Sequence, residues 1–241
     1  MRLDKAITLR GLSRSEAKKA LSAGRVCVNG QTEKNGARIL SDGDGVTLDG
    51  EGIALKQHTH LMLNKPAGVL TATEDPHGDT TVIDLLPPQL KKRKLGPVGR
   101  LDKDVTGLVI LTSDGVLAHR LISPKQNIEK QYTAQVEGRL DDSCVQAFAA
   151  GMQFKDFEAK GARLEIISAS EDGSLCRVYI TEGKFHQVKR MLAAVGHEVI
   201  RLKRDKIAGL ELDAALQPGE WRELTDAEQA HLYRAAGMEQ Q

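Results

Sequence analysis

The stretch VGRLDKDVTGLVILTSDG, residues 98–115, places two acids (Asp102, Asp104) and two bases (Arg100, Lys103) in a short turn. The turn runs straight into the apolar run Leu108-Val109-Ile110-Leu111. A carboxylate beside such a strand sits in a dry setting and needs a nearby cation to stay ionised. Once ionised there, it can act as a nucleophile or support a developing positive charge. A candidate cation lies far downstream, in EGKFHQVKRML, residues 182–192. At helical period, Phe185, Val188, Leu192 and Val195 form one apolar stripe, with Lys189 at its edge and Gln187 and Arg190 pointing away. An inward ammonium needs an anion, and an Asp102–Lys189 pair would satisfy both groups. Competing acids are present: Asp104 is two residues away, and Asp114 suits a helix cap before Gly115. Arg100 could equally hold Asp102 in a purely structural turn. A third group, Tyr132, offers a flat ring for a base and a hydroxyl for a proton, although a lone tyrosine in a strand is often just packing.

The elements that must position these groups can be read from periodicity. Leu61-Met62-Leu63 is a strand followed by the turn Asn64-Lys65-Pro66-Ala67-Gly68. The spacing predicts a short helix over 115–122 with Leu117 and Leu121 inward, stopped by Ser123-Pro124. Residues 130–136 alternate, with Lys130, Tyr132, Ala134 and Val136 on one face. A helix opened by Asp141-Asp142-Ser143 and ended at Gly151 comes next, then strands near 162–167 and 175–181, the Lys189 helix over 185–195, a short strand pair and a final helix from about Asp226.

Upstream, Ser13-Arg14-Ser15-Glu16 is a capping-box pattern, Ala17, Ala20 and Leu21 give the helix its stripe, and Gly24 suits its end. Val26 and Val28 alternate before the tight-turn pair Asn29-Gly30. Residues 50–58 read as a linker, with His58 and His60 as linker histidines that lack the further ligands a metal would need. The expected domains are 1–57 and 58–236.

The formal charge of +1 conceals an uneven distribution: residues 1–40 hold nine Lys or Arg against three acids, and 207–241 hold two against seven. Basic segments of this kind face a polyanion or solvent. Lys91-Lys92-Arg93-Lys94 adds a four-charge run. No apolar run is long enough to span a membrane, and the N-terminal segment lacks the apolar core of a secretory leader. Three widely spaced cysteines fit free thiols in a reducing cytoplasm.

Residues 1–30 resemble the S4 domain, a small RNA-binding module, through Arg2-Leu3-Asp4-Lys5, Ser13-Arg14, Ala17, Gly24-Arg25-Val26 and Val28-Asn29-Gly30. The resemblance implies phosphate contacts at Arg2, Arg14, Lys18 and Arg25, and the basic run adds Lys91, Lys92 and Arg93. GRLDKDVTGLVILTSDG resembles the catalytic motif of pseudouridine synthases of the RsuA branch, and LNKPAGV at 63–69, EKQY at 129–132, EGKFHQVKRML at 182–192 and the stretch from Leu202 match the same branch.

The resemblance implies an α+β fold: a small S4-like domain followed by a catalytic domain with a mixed, mainly antiparallel sheet flanked by helices. It implies Asp102 as the catalytic carboxylate, Tyr132 packing on the uracil and Lys189 pairing with Asp102. It also implies Leu192 lining the pocket, with Arg100, Leu101, Asn64 and Lys65 beside the substrate. Val105 replaces a residue that is often a hydroxyl, which puts a local turn hydrogen bond in doubt.

The implied reaction is isomerisation of uridine to pseudouridine. Attack on ribose, attack on the base and proton abstraction all require an ionised Asp102, and none needs a metal or cofactor. The expected substrate is 16S ribosomal RNA, either free or within an assembling small subunit, and the expected enzyme is a cytoplasmic monomer. Rival readings are a 23S-directed enzyme, a non-catalytic RNA-binding assembly factor, and a hydrolase using Asp104 as a second carboxyl.

Overall fold

A computed structural model describes residues 2–8, 10–41, 43–53 and 58–238. The chain divides into two units, 1–57 and 58–241. In the first, α1 (Leu3–Thr8) and α2 (Arg14–Ser22) pack on a sheet of β1 (Val26–Val28), β2 (Gln31–Thr32), β3 (Val46–Leu48) and β4 (Glu51–Ile53), in the order β2-β1-β3-β4. Leu3, Ala6, Ile7, Ala17, Ala20 and Leu21 bury the helical stripes against Val26, Val28 and Val46. Ser13 and Glu16 close the capping box reciprocally, and Asn29 and Gly30 both take the positive φ of a tight hairpin. The expected linker is shorter than 50–58. Its first part is strand β4, which pairs with β3, while positions 54–57 lie outside the described residues.

The second unit runs β5 (His60–Lys65), α3 (Pro88–Lys91), β6 (Gly96–Pro97), β7 (Thr106–Thr112), α4 (Gly115–Ile122), β8 (Lys130–Val136), α5 (Asp142–Ala150), β9 (Met152–Gln153) and β10 (Glu158–Ala159). It continues with β11 (Arg163–Ser170), β12 (Gly173–Ile180), α6 (Gln187–Ala194), β13 (Val199–Ile207), β14 (Leu210–Glu211), β15 (Trp221–Glu223) and α7 (Asp226–Ala235). The main sheet has the order β11-β12-β8-β13-β7-β5-β15. Its pairs are antiparallel except that of β13 with β7, which runs parallel. The architecture is α+β with a mixed, mainly antiparallel sheet flanked by helices.

The centre of β7, Leu108 to Leu111, is apolar without a break because it is covered on both faces. Val109 and Leu111 enter the core shared with Tyr132, Ala134, Phe148, Met191 and Leu192. Leu108 and Ile110 enter the opposite core with Leu117, Leu121, Ile207 and Leu232. At its start, Gly107 has φ +102, and an added Cβ would fall 2.2 Å from the Arg204 carbonyl oxygen. Only glycine lets β7 approach β13 there.

His58 and His60 are not linker residues. His60 opens β5, is buried, and lies with its Nδ1 2.9 Å from the Thr112 hydroxyl. His58 Nε2 is 3.8 Å from Asp114. Asp114 caps α4 by accepting from the Val116 and Leu117 amides, and it also accepts a 2.8 Å bond from Tyr233.

Candidate active site

The loop that carries Asp102 is fixed from beneath by the segment after β5. Thr71 donates its hydroxyl to the Leu101 carbonyl and accepts from the Leu101 amide, at 2.9 and 3.2 Å. Gly68 N–H donates to the Lys103 carbonyl at 2.8 Å. Lys65, with no exposed surface, donates to the carbonyls of Pro66, Lys103 and Val105 at 3.0, 3.1 and 2.7 Å. Burial pulls its ammonium down to about 8, opposed by the nearby charges of Asp104 and Asp102. The turn closes on itself through Val105 N–H to the Asp102 carbonyl at 3.1 Å. Val105 packs its side chain inward, and the Thr106 hydroxyl reaches the Leu202 carbonyl at 3.5 Å instead of the turn.

Above this loop a cleft is lined by Arg100, Leu101, Asp102, Val105, Tyr132, Ile180, Lys184, His186, Val188, Lys189 and Leu202, among others. Asp102, Tyr132 and Lys189 thus share one cleft, though they are separated by some thirty and then nearly sixty positions in the chain. Lys189 donates to both oxygens of Asp104, at 2.7 and 2.6 Å, and lies 3.8 Å from Asp102 Oδ2. The direct partner of Lys189 is therefore Asp104, with Asp102 at the margin of ion-pair range. The Lys189 hydrogen bond holds the Asp104 carboxyl below the usual carboxylate range. Asp102 instead keeps part of its surface open to the cleft, with His186 Nε2 3.5 Å from its Oδ1. Arg100 makes no ion pair with Asp102 among the described residues.

Two expectations about the segment leading into α6 need correction. Phe185 is neither helical nor inward: α6 begins at Gln187, His186 at its cap has φ 50, and Phe185 is 71% exposed. Gln187, expected outside, is buried because its amide donates to buried Glu182 at 2.7 Å and its Oε1 accepts from the Lys184 amide at 3.0 Å. A satisfied polar pair thus sets the helix phase, and Met191 fills the stripe that Phe185 leaves.

Leu192 is wholly buried in the core behind the cleft, whose apolar lining comes from Leu101, Val105, Ile180, Val188 and Leu202. Asn64 and Lys65 point to opposite faces of β5. Asn64 donates to the Leu216 carbonyl at 2.8 Å and borders a separate cavity with Thr133 and Asp205, and Lys65 is sealed under the loop, so neither reaches the cleft.

His186, Lys184 and the Glu182–Gln187 pair were missed by the sequence reading. Their signal was the density of polar side chains just before the helix, Glu182, Lys184, His186 and Gln187, with Phe185 the one apolar residue among them. Among the expected phosphate contacts, Arg2 and Arg25 are engaged by Asp4 and Asp49. Arg14 and Lys18 lie exposed on α2, with Lys18 beside Ser15, Lys19 and Ser22. Lys91 sits 3.5 Å from Asp84, and Lys92 and Arg93 are exposed. Among the described residues no group of three His, Cys, Asp or Glu side chains could hold a metal ion.

Residues 59–194, which span all three cleft residues, match the family described as RNA pseudouridylate synthase, and residues 1–46 match the S4 domain. The chain belongs to the RNA pseudouridylate synthase family, joined to an S4 RNA-binding domain. More particularly, it is 42% identical to ribosomal small subunit pseudouridine synthase A of Escherichia coli, over 95% of this chain and 98% of that protein. It is 41% identical to an uncharacterized RNA pseudouridine synthase of Bacillus subtilis, over 96% and 98%. A crystal structure of a pseudouridylate synthase, 37% identical, superposes with TM-score 0.68 over 96% of this chain and 99% of that one.

Proposed function

We propose that the enzyme converts a uridine of 16S ribosomal RNA to pseudouridine, with Asp102 as the catalytic carboxylate. The observation that carries this reading is a partly open carboxylate at the mouth of β7, sharing a cleft with an aromatic hydroxyl and a lysine already anchored by a different acid. The target nucleotide leaves its stack and enters the cleft. The C1′–N1 bond breaks, the uracil turns and C1′ bonds to C5. The proton on C5 is lost and a proton is taken up at N1. The Asp102 anion faces the sugar and the base during this exchange, Tyr132 packs against the uracil, and Lys189 offsets part of the negative charge beside Asp102. Arg100 and Leu101 border the nucleotide. Lys65 is a positioning residue that holds the backbone on either side of Asp104.

The choice of small-subunit RNA rests on the relatives called ribosomal small subunit pseudouridine synthase A, whose similarity runs the length of both chains. The S4 unit supplies phosphate contacts through Arg14 and Lys18, and Lys92 and Arg93 offer further ones, so binding weakens with salt. On this reading the enzyme acts where ribosomal RNA is made, in the cytoplasm, and as a monomer. No helix among the described residues is long and apolar enough to cross a membrane.

The test is product analysis on 16S and 23S transcripts and on partly assembled small subunits. A mass-silent change at one uridine of 16S RNA is expected. Free uracil would indicate a hydrolase, modification confined to 23S RNA would move the substrate, and binding without any product would leave an assembly factor.

A further inference from the structure

Phe185 is set apart from the other three phenylalanines. Phe148 is fully buried, while Phe154 and Phe157 lie with ring centroids 4.9 Å apart under the Arg190 guanidinium. Phe185 faces solvent, yet it is held in place. Its ring lies 3.8 Å from the His186 ring with 19° between the planes, and His186 is fixed in a left-handed backbone turn at the start of α6. His186 lines the cleft and its Nε2 is 3.5 Å from Asp102. A two-ring stack therefore starts at the cleft wall and ends in an open aromatic face. The exposed cations Lys184 and Arg100 line the same cleft. Packing does not account for the arrangement, since the apolar stripe of α6 is complete without Phe185. A uridine drawn into the cleft abandons its neighbour in the RNA stack, and that neighbour loses one stacking partner. An aromatic face just outside the cleft, beside cations that suit phosphate, replaces it.

We propose that Phe185, backed by His186, is a stacking shelf for the base of a nucleotide flanking the target uridine. The shelf rests on the reading of the Asp102 cleft as the site of pseudouridylation. It explains how flanking nucleotides are engaged in a chain with only eight aromatic residues, Phe, Tyr and Trp together.

The test uses the full chain and a short 16S fragment containing the modified uridine, with each flanking base replaced in turn by an abasic site. Phe185→Ala raises KM for the intact fragment about tenfold and Phe185→Trp restores it, as loss and recovery of one stacked base require. At one flank the abasic substitution raises KM for the wild type to the same degree and adds nothing in Phe185→Ala. If wild type and Phe185→Ala respond equally to both abasic fragments, or if the Phe185→Ala defect lies in kcat alone, the shelf is wrong. Direct binding of the same fragments separates this from the reading beneath it. An active Asp102→Asn enzyme with the coupling intact overturns the catalytic assignment and leaves the shelf standing. An inactive Asp102→Asn enzyme with no coupling overturns only the shelf.

Discussion

Lys65 and Lys189 grip the same loop by different atoms. Lys65, sealed from solvent, holds the Lys103 and Val105 carbonyls of that loop together with the carbonyl of Pro66. Lys189, open to the cleft, holds the Asp104 carboxylate and faces Asp102. The contrast separates shape from chemistry. A buried ammonium on neutral carbonyls fixes where the turn lies and bears the cost of desolvation, while an accessible one between two carboxylates sets the charge that a substrate meets.

Lys65→Met breaks the comparison most sharply. It leaves the Lys103 and Val105 carbonyls short of a donor, and unfolding by urea should show a loss of about 3 kcal/mol together with loss of turnover. Lys189→Ala should lower kcat by roughly a hundredfold, on the scale of losing one preorganised electrostatic contact, while thermal stability and RNA binding stay close to wild type. If it instead melts the protein as Lys65→Met does, the division between the two lysines fails.

Alkaline pH probes the same division. Lys65 sits at about 8 in the fold against an ordinary 10.5. Between those values the unfolded chain holds the proton more often, so the Lys65 contribution to stability rises with pH across that window. Activity moves the other way, because the neutral amine has one donor fewer for three carbonyls. The expected pH profile of kcat has a descending limb near pH 8 that Lys65→Arg removes. Burial also brings Lys130 down to about 8, so Lys130→Arg, leaving the limb in place, is the control.

The smallest effects are expected in the N-terminal unit. Lys18→Ala should reduce the slope of log affinity against log salt by about 0.7–0.9, the share of one phosphate contact. Arg25→Ala should change it less, because Arg25 is already paired with Asp49. Titrating RNA at several salt concentrations measures both.

Much of this arrangement was legible from residue order. Alternation placed Lys130, Tyr132, Ala134 and Val136 on one buried face, and the caps at Ser13, Asp114 and Asp141 fell where short polar side chains precede apolar periodicity. Illegible features depend on pairings between distant elements. Periodicity gave Phe185 and Gln187 the wrong sides because it assigns a helix phase by apolarity alone. The phase is set by buried Glu182, which neither Phe185 nor Gln187 reveals. Asp102 and Asp104 are two residues apart and alike in type, and what separates them is spatial: Asp102 lines the cleft beside His186, while Asp104 takes the Lys189 hydrogen bonds. The adjacent Asn64 and Lys65 reach different places because a strand alternates faces.

That distinction between two carboxylates gives the most direct test. Tritium release from 5-tritiated uridine in 16S RNA is compared for wild type, Asp102→Asn and Asp104→Asn. With Asp102 reacting and Asp104 only holding Lys189, Asp102→Asn releases nothing above background, and Asp104→Asn keeps activity within roughly tenfold of wild type, as loss of a supporting contact allows. Release by Asp102→Asn at the wild-type rate, or loss confined to Asp104→Asn, would contradict the account.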